Sequence, residues 1–129
     1  MKILHTGDWH LGAYVGPQCD DPMKRMENTC KCLDFLVETA QKEQPDIILI
    51  CGDIFHTAKV WSERSNIELR TSADYIRALA RIAPVAVLYG TPNHDSYEQF
   101  KSLVWMSSIT HKVYFFIEPE LCTINTKSG

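Results

Sequence analysis

Three clusters of metal-type donors, Asp8-Trp9-His10, Gly52-Asp53 and Asn93-His94-Asp95, each follow directly on a short apolar run that reads as a β-strand. The runs are Ile3-Leu4, Ile47 to Ile50 and Val85 to Leu88, mostly β-branched and closed by glycine-containing turns. Between them, Met23 to Glu43 and Ser62 to Ile82 are long enough for helices. Met23, Met26, Cys30, Leu33, Leu36 (or Val37) and Ala40 recur at helical spacing in the first, and Ile67, Thr71, Tyr75, Ala78 (or Leu79) and Ile82 in the second. Ser62 offers an N-cap, and Pro45 and Pro84 stand just ahead of the following strands. The pattern predicts an α/β fold beginning β-α-β-α-β with right-handed crossovers. Functional groups in such sheets gather at the carboxyl ends of the strands, where all three clusters fall.

With 129 residues and 45% hydrophobic content, the chain can bury a core of single-domain size. No run approaches the ~20 apolar residues that span a bilayer, and Met1 to Thr6 leads straight into Gly7-Asp8 without a secretory pattern. A cytoplasmic protein without a membrane segment is expected. The five cysteines, Cys19, Cys30, Cys32, Cys51 and Cys122, include no CxxC pair and read as reduced thiols. A net charge of -3 gives no basic tract for nucleic acid, yet bound divalent ions can reverse the charge of an acidic site and hold a phosphate. Gly16 to Pro22 reads as a loop.

The donors define the chemistry. Asp8 and His10 stand two apart on what reads as an extended segment leaving the first strand, so their side chains should share one side and one cation. A carboxylate with an imidazole suits manganese, iron or zinc better than calcium. Asp53 arrives from the next strand with two oxygens to bridge two ions, Asn93 supplies an amide oxygen, and His94 is a candidate acid or base. Two divalent ions about 3.5 to 4 Å apart would clamp a phosphate, which points to phosphoester hydrolysis. Any one cluster alone is more often a turn with a capping side chain, but all three in register at successive strand ends favour a site. His56 is a candidate phosphate contact; His5, alternating inside the first strand, reads as a buried structural histidine more readily than as a ligand.

His5-Thr6-Gly7-Asp8-Trp9-His10-Leu11-Gly12, Gly52-Asp53-Ile54-Phe55-His56 and Asn93-His94-Asp95 resemble the first three motifs of the calcineurin-like metallophosphoesterases, in the branch that contains the Mre11 and SbcD DNA-repair nucleases. The resemblance runs from Met1 to about Ser96, with Trp9, Leu11-Gly12 and His56 favouring the nuclease branch. It implies that Asp8, His10 and Asp53 hold a first metal, that Asp53 and Asn93 hold a second, and that His94 protonates the leaving oxygen. It further implies two Mn2+ ions, DNA as substrate for exonuclease and endonuclease cleavage, an ABC-type ATPase partner of the SbcC or Rad50 kind, and a homodimer.

Two departures accompany the resemblance. Thr91 and Pro92 intervene between Gly90 and Asn93, so this loop should be longer than the family's usual Gly-Asn-His. The family's later Gly-His and His-x-His motifs are absent, and His111 matches neither. Residues 1–129 are therefore expected to be the N-terminal part of a metallophosphoesterase domain. Val113 to Ile117 and Leu121 to Ile124 read as two further strands. Tyr97 to Met106 carries Phe100, Leu103, Val104 and Trp105, readable as core or as a dimer contact. Alternative functions are a phosphatase or phosphodiesterase acting on a small phosphoester, which the acidic balance favours, and a truncated module without catalysis.

Overall fold

The computed structural model describes residues 1–13, 21–58, 63–107 and 112–129. Its four strands, β1 (Ile3–Thr6), β2 (Ile47–Ile50), β3 (Val85–Leu88) and β4 (Val113–Phe116), pair in parallel in chain order. Helices α1 (Pro22–Glu43), α2 (Glu63–Ala80) and α3 (Tyr97–Ser107) make the crossovers. Asp21 caps α1 by accepting the Met23 N–H at 2.9 Å, Pro22 opens it, and Gln44 ends it in a left-handed conformation. The expected N-cap Ser62, the loop residues 14–20, Cys19 and His111 lie outside the described residues. The four described cysteines are free thiols. No helix among the described residues is long and apolar enough to cross a membrane.

Sequential parallel strands joined by crossovers of one hand put every helix on the same face of the sheet. The burial pattern agrees. Leu4, Ile48, Val85 and Val113 align across the strands, as do Thr6, Ile50, Val87 and Phe115, and all but Thr6 join the core with Met26, Leu33, Ala73, Ile76, Leu79, Phe100 and Leu103. The alternate residues face away from the helices: Ile3, His5 and Leu88 are exposed, and Ile47, Leu49 and Phe116 are half-buried.

Three expectations need correction. The fully buried stripe of α2 is Glu68, Ser72, Ala73, Ile76, Leu79 and Ala80; of the expected positions Leu79 belongs to it and Tyr75 and Ile82 pack half-buried against the core, whereas Ile67 is exposed. Small side chains let the helix approach closely, Glu68 is drawn in against Gly12, and the Tyr75 hydroxyl instead reaches α1, bonding Asp34 at 2.7 Å and the Cys30 carbonyl at 3.0 Å. Leu121 to Ile124 is not a strand. Cys122 and Ile124 lie over the open sheet face beside Leu49 and Phe116, and a segment laid on a face cannot join the ladder, whose N–H and C=O groups point along the sheet plane. His5 is exposed rather than buried, because it points to that same open face.

Phe100 and Leu103 are fully buried, which makes α3's inner face core. Leu103→Ala should lower unfolding free energy by about 2–5 kcal/mol in a denaturant titration. At the opposite end of the sheet, the buried Asp46 carboxylate accepts the Lys2 N–H, and that bond, followed by one from Ser128, holds its pKa below the ordinary value. A depressed folded pKa stabilises the fold above the unfolded carboxylate value near ~3.9 and is lost as pH falls through the folded value. Asp46→Asn should therefore flatten the acid limb of a stability-versus-pH curve below about pH 4 and leave its shape above pH 5 unchanged.

Candidate metal centre

The loops after β1 and β2 stay zipped together beyond the sheet. Asp8 N–H donates to the Gly52 carbonyl at 3.2 Å, His10 N–H to that of Asp53 at 3.1 Å, Leu11 N–H to that of Ile54 at 2.9 Å, and His56 N–H to that of Leu11 at 2.8 Å. Beneath them Leu11, Ile54 and Phe55 are fully buried, so apolar packing anchors both loops. Trp9 is also buried, its indole N–H bonding Thr6 Oγ1 at 3.0 Å, which throws the residues on either side outward.

Asp8, His10 and Asp53 have φ of 52°, 45° and 50°, left-handed values that side chains other than glycine rarely take. Expectation and structure part here. Asp8 and His10 do not converge through strand alternation; each is turned in by a left-handed kink. Strain of this kind costs roughly 1–3 kcal/mol per residue and gathers where geometry serves a site. The result is a group in which one donor atom each from Asp8, His10 and Asp53 lies within 4.8 Å of the others, with Asp8 Oδ1 3.5 Å from His10 Nε2.

The third loop locks onto the second. Asp95 is fully buried and accepts the Phe55 N–H at 2.9 Å and the Gly90 N–H at 3.1 Å. Burial pushes its carboxyl above the ordinary pKa, opposed by N–H donors from Phe55, Ile54 and Gly90. Thr91, in the lengthened segment before Asn93, donates its N–H at 2.7 Å and its hydroxyl at 3.0 Å to Asp53 Oδ1. Burial opposes ionisation of Asp53, but these bonds and the nearby His94 and His10 outweigh it and lower its pKa. The Thr91 carbonyl accepts the His94 N–H at 3.0 Å and the Asp95 N–H at 2.9 Å, closing the turn.

That turn brings His94 to the site. Its Nδ1 lies 2.6 Å from the His56 carbonyl, and its ring centroid lies 4.6 Å from that of His10. His10, His56 and His94 form a second group whose donor atoms lie within 4.8 Å of one another. Desolvation, then the neighbouring His10 and His94, lower the His56 pKa and favour its neutral ring. Among the described residues, His10 Nδ1 is buried without a hydrogen-bond partner.

The structure thus gathers Asp8, His10, Asp53, His56 and His94 at one edge. Asn93 stands on the same turn, exposed, with its carbonyl accepting the Ala58 N–H at 3.2 Å. His5 is not among them. Carboxylates and imidazoles at this spacing, with a buried unpartnered ring nitrogen among them, fit a divalent transition ion. Asp95 and Thr91 are the residues whose part the sequence did not reveal. Asp95 was legible as a member of a motif, but only the fold shows it holding backbone rather than metal.

A family model described as calcineurin-like phosphoesterase matches residues 1–125. The chain belongs to this family, whose members are binuclear metal enzymes, and the two donor groups supply candidate ligands. The D subunit of the SbcCD nuclease from Staphylococcus saprophyticus subsp. saprophyticus is 32% identical over 125 residues. The aligned region covers 97% of this chain and 30% of that relative, so the chain spans under a third of its length. The likeness supports the Mre11 and SbcD branch, N-terminal part, and extends past Ser96, where the motif resemblance stopped.

Gly90 sets how closely the second and third loops approach. A Cβ there would fall 2.2 Å from Asp53 N, 2.5 Å from Asp53 Oδ1 and 2.5 Å from Asp95 Oδ2, all held in place. Gly90→Ala should destabilise the fold by about 1–3 kcal/mol and weaken divalent-metal affinity at least about tenfold, read by thermal melts and calorimetry.

Proposed function

We propose that residues 1–129 are the N-terminal part of the catalytic domain of a metal-dependent DNA exonuclease and endonuclease subunit. The observation that carries this is the convergence of Asp8, His10 and Asp53 on strained, tightly bonded loops at the carboxyl edge of a parallel sheet. The similarity to a nuclease SbcCD D subunit supports DNA as the substrate and an SbcC-type ATPase as the partner. The open apolar face of the sheet supports a larger domain, since all-parallel sheets are ordinarily covered on both faces.

In this reading Asp8, His10 and Asp53 would hold one Mn2+, and Asp53 with Asn93 would contribute to a second. The ions, when bound, neutralise phosphate charge and activate the attacking oxygen. The Thr91 bonds favour the ionised form of Asp53 and fix its carboxylate, which would be a ligand for either ion. His94, held by its Nδ1 contact to the His56 carbonyl, would serve as the acid that protonates the leaving oxygen through its other ring nitrogen. His56, beside it, contacts the DNA phosphate. A homodimer contact on α3 would involve its outer face, where Trp105 is exposed, because Phe100 and Leu103 are committed to the core. The reading places this work in DNA repair or end processing in the cytoplasm.

The net charge of -3 favours a second reading, a phosphoesterase for a small molecule. Assay of the full-length protein with Mn2+ on linear duplex DNA and on nitrophenyl phosphate separates the two. Cleavage of DNA and not of the monoester is expected, and the reverse would overturn the nuclease assignment. Asp53→Ala should remove Mn2+ binding in calorimetry and slow cleavage at least about 100-fold, the equivalent of about 3 kcal/mol of transition-state stabilisation.

A further inference from the structure

His10 belongs to both donor groups, one mixed with carboxylates and one made of imidazoles alone. We propose that His10, His56 and His94 form a zinc site that shares His10 with the carboxylate group, and that zinc there is an inhibitory ion competing with the pair that serves hydrolysis.

The three rings lie close together, with centroid separations of 4.6, 5.6 and 5.7 Å. A tetrahedral ion with bonds of about 2.0–2.1 Å needs nitrogens about 3.4 Å apart, so donor atoms now within 4.8 Å reach it by small side-chain rotations. His94 is already set as a ligand. A ring nitrogen against the His56 carbonyl at 2.6 Å must carry its proton at Nδ1, which leaves the Nε2 lone pair free, and ligating histidines characteristically donate their second nitrogen in this way. His10 Nδ1 is buried with no hydrogen-bond partner among the described residues, a second sign that a nitrogen of this ring is open to a ligand.

The two groups differ in the ion they prefer. Carboxylate with imidazole suits manganese, whereas three neutral imidazoles with an open fourth position suit zinc. Because His10 serves both, tight occupation of the histidine group draws it from the carboxylate group. The functional consequence rests on the reading of His94 as proton donor: once its Nε2 lone pair is given to zinc, the residue cannot carry a proton there. Zinc would then hold the site in a closed chemical state until chelated.

The test is a titration of the chain with Co2+, whose visible spectrum reports a nitrogen-rich four-coordinate site, followed by displacement with Zn2+. The expected result is a band that one equivalent of Zn2+ removes. It should persist in Asp53→Asn, while His56→Gln lowers Zn2+ affinity by at least the ~10–100-fold that losing even an outer-sphere partner costs. Imidazole 15N shifts of the wild-type chain give a readout that needs no variant: three ring signals should move together on zinc addition. Absence of the band, movement of fewer than three rings, or zinc binding lost in Asp53→Asn but kept in His56→Gln would overturn the proposal. Mn2+ binding to the same proteins tests the functional reading separately, since it should depend on Asp53; indifference to Asp53→Asn would sink that reading without touching the zinc site.

Discussion

The arrangement depends on how closely two loop backbones can be brought together at the ends of β2 and β3. The buried Asp95 carboxylate holds them by taking one N–H from each loop, Phe55 on one side and Gly90 on the other. Gly52 and Gly90 lie so near that a Cβ on the former would meet the Cα of the latter at 2.6 Å. A carboxylate shielded from water makes strong bonds to backbone donors, but only if both donors stay in place, since a buried unpaired charge is costly. The tie is therefore cooperative: neither loop can shift without exposing the defect in the other.

Upon that tie rests the strain at the donors. Left-handed backbone at Asp8, His10 and Asp53 would relax in an isolated peptide, and here it is held by the ladder of backbone bonds from Asp8 to His56 and by the buried side chains of Leu11, Ile54 and Phe55. Packing energy gathered under the loops is converted into fixed positions above them. The charges follow suit, with Thr91 helping to lower the pKa of Asp53 while burial pushes that of Asp95 up. Two neighbouring carboxylates thus acquire different tasks, one offered to cations and one kept for the backbone.

Much of this was written locally in the chain. The runs at Ile47–Ile50 and Val85–Leu88 are too short and too β-branched to be helices, and the stripe of Met26, Leu33 and Ala40 on α1 needs no knowledge of its neighbours. The position of the donor clusters after the strands follows from the same periodicity. What could not be read depends on contacts distant in sequence. The face that α2 buries was set by Gly12 and by a tyrosine reaching α1, and the conformation that joins Asp8 to His10 was set by residues more than forty positions away. Leu121 to Ile124 has a strand's composition but lies where no ladder is available. The likeness of Thr91 to any other turn residue hid its service to Asp53 until both loops were placed.

The strand order has a bearing on how the protein comes into being. Each strand pairs beside the one made before it, so the sheet can lengthen at one edge as synthesis proceeds, without threading a late segment between earlier ones. The carboxylate-bearing group is complete in sequence at residue 53, whereas the histidine group waits for residue 94. Because Asp95 and Thr91 supply the bonds that hold the second loop, neither donor group is fixed in place until the third loop has been made.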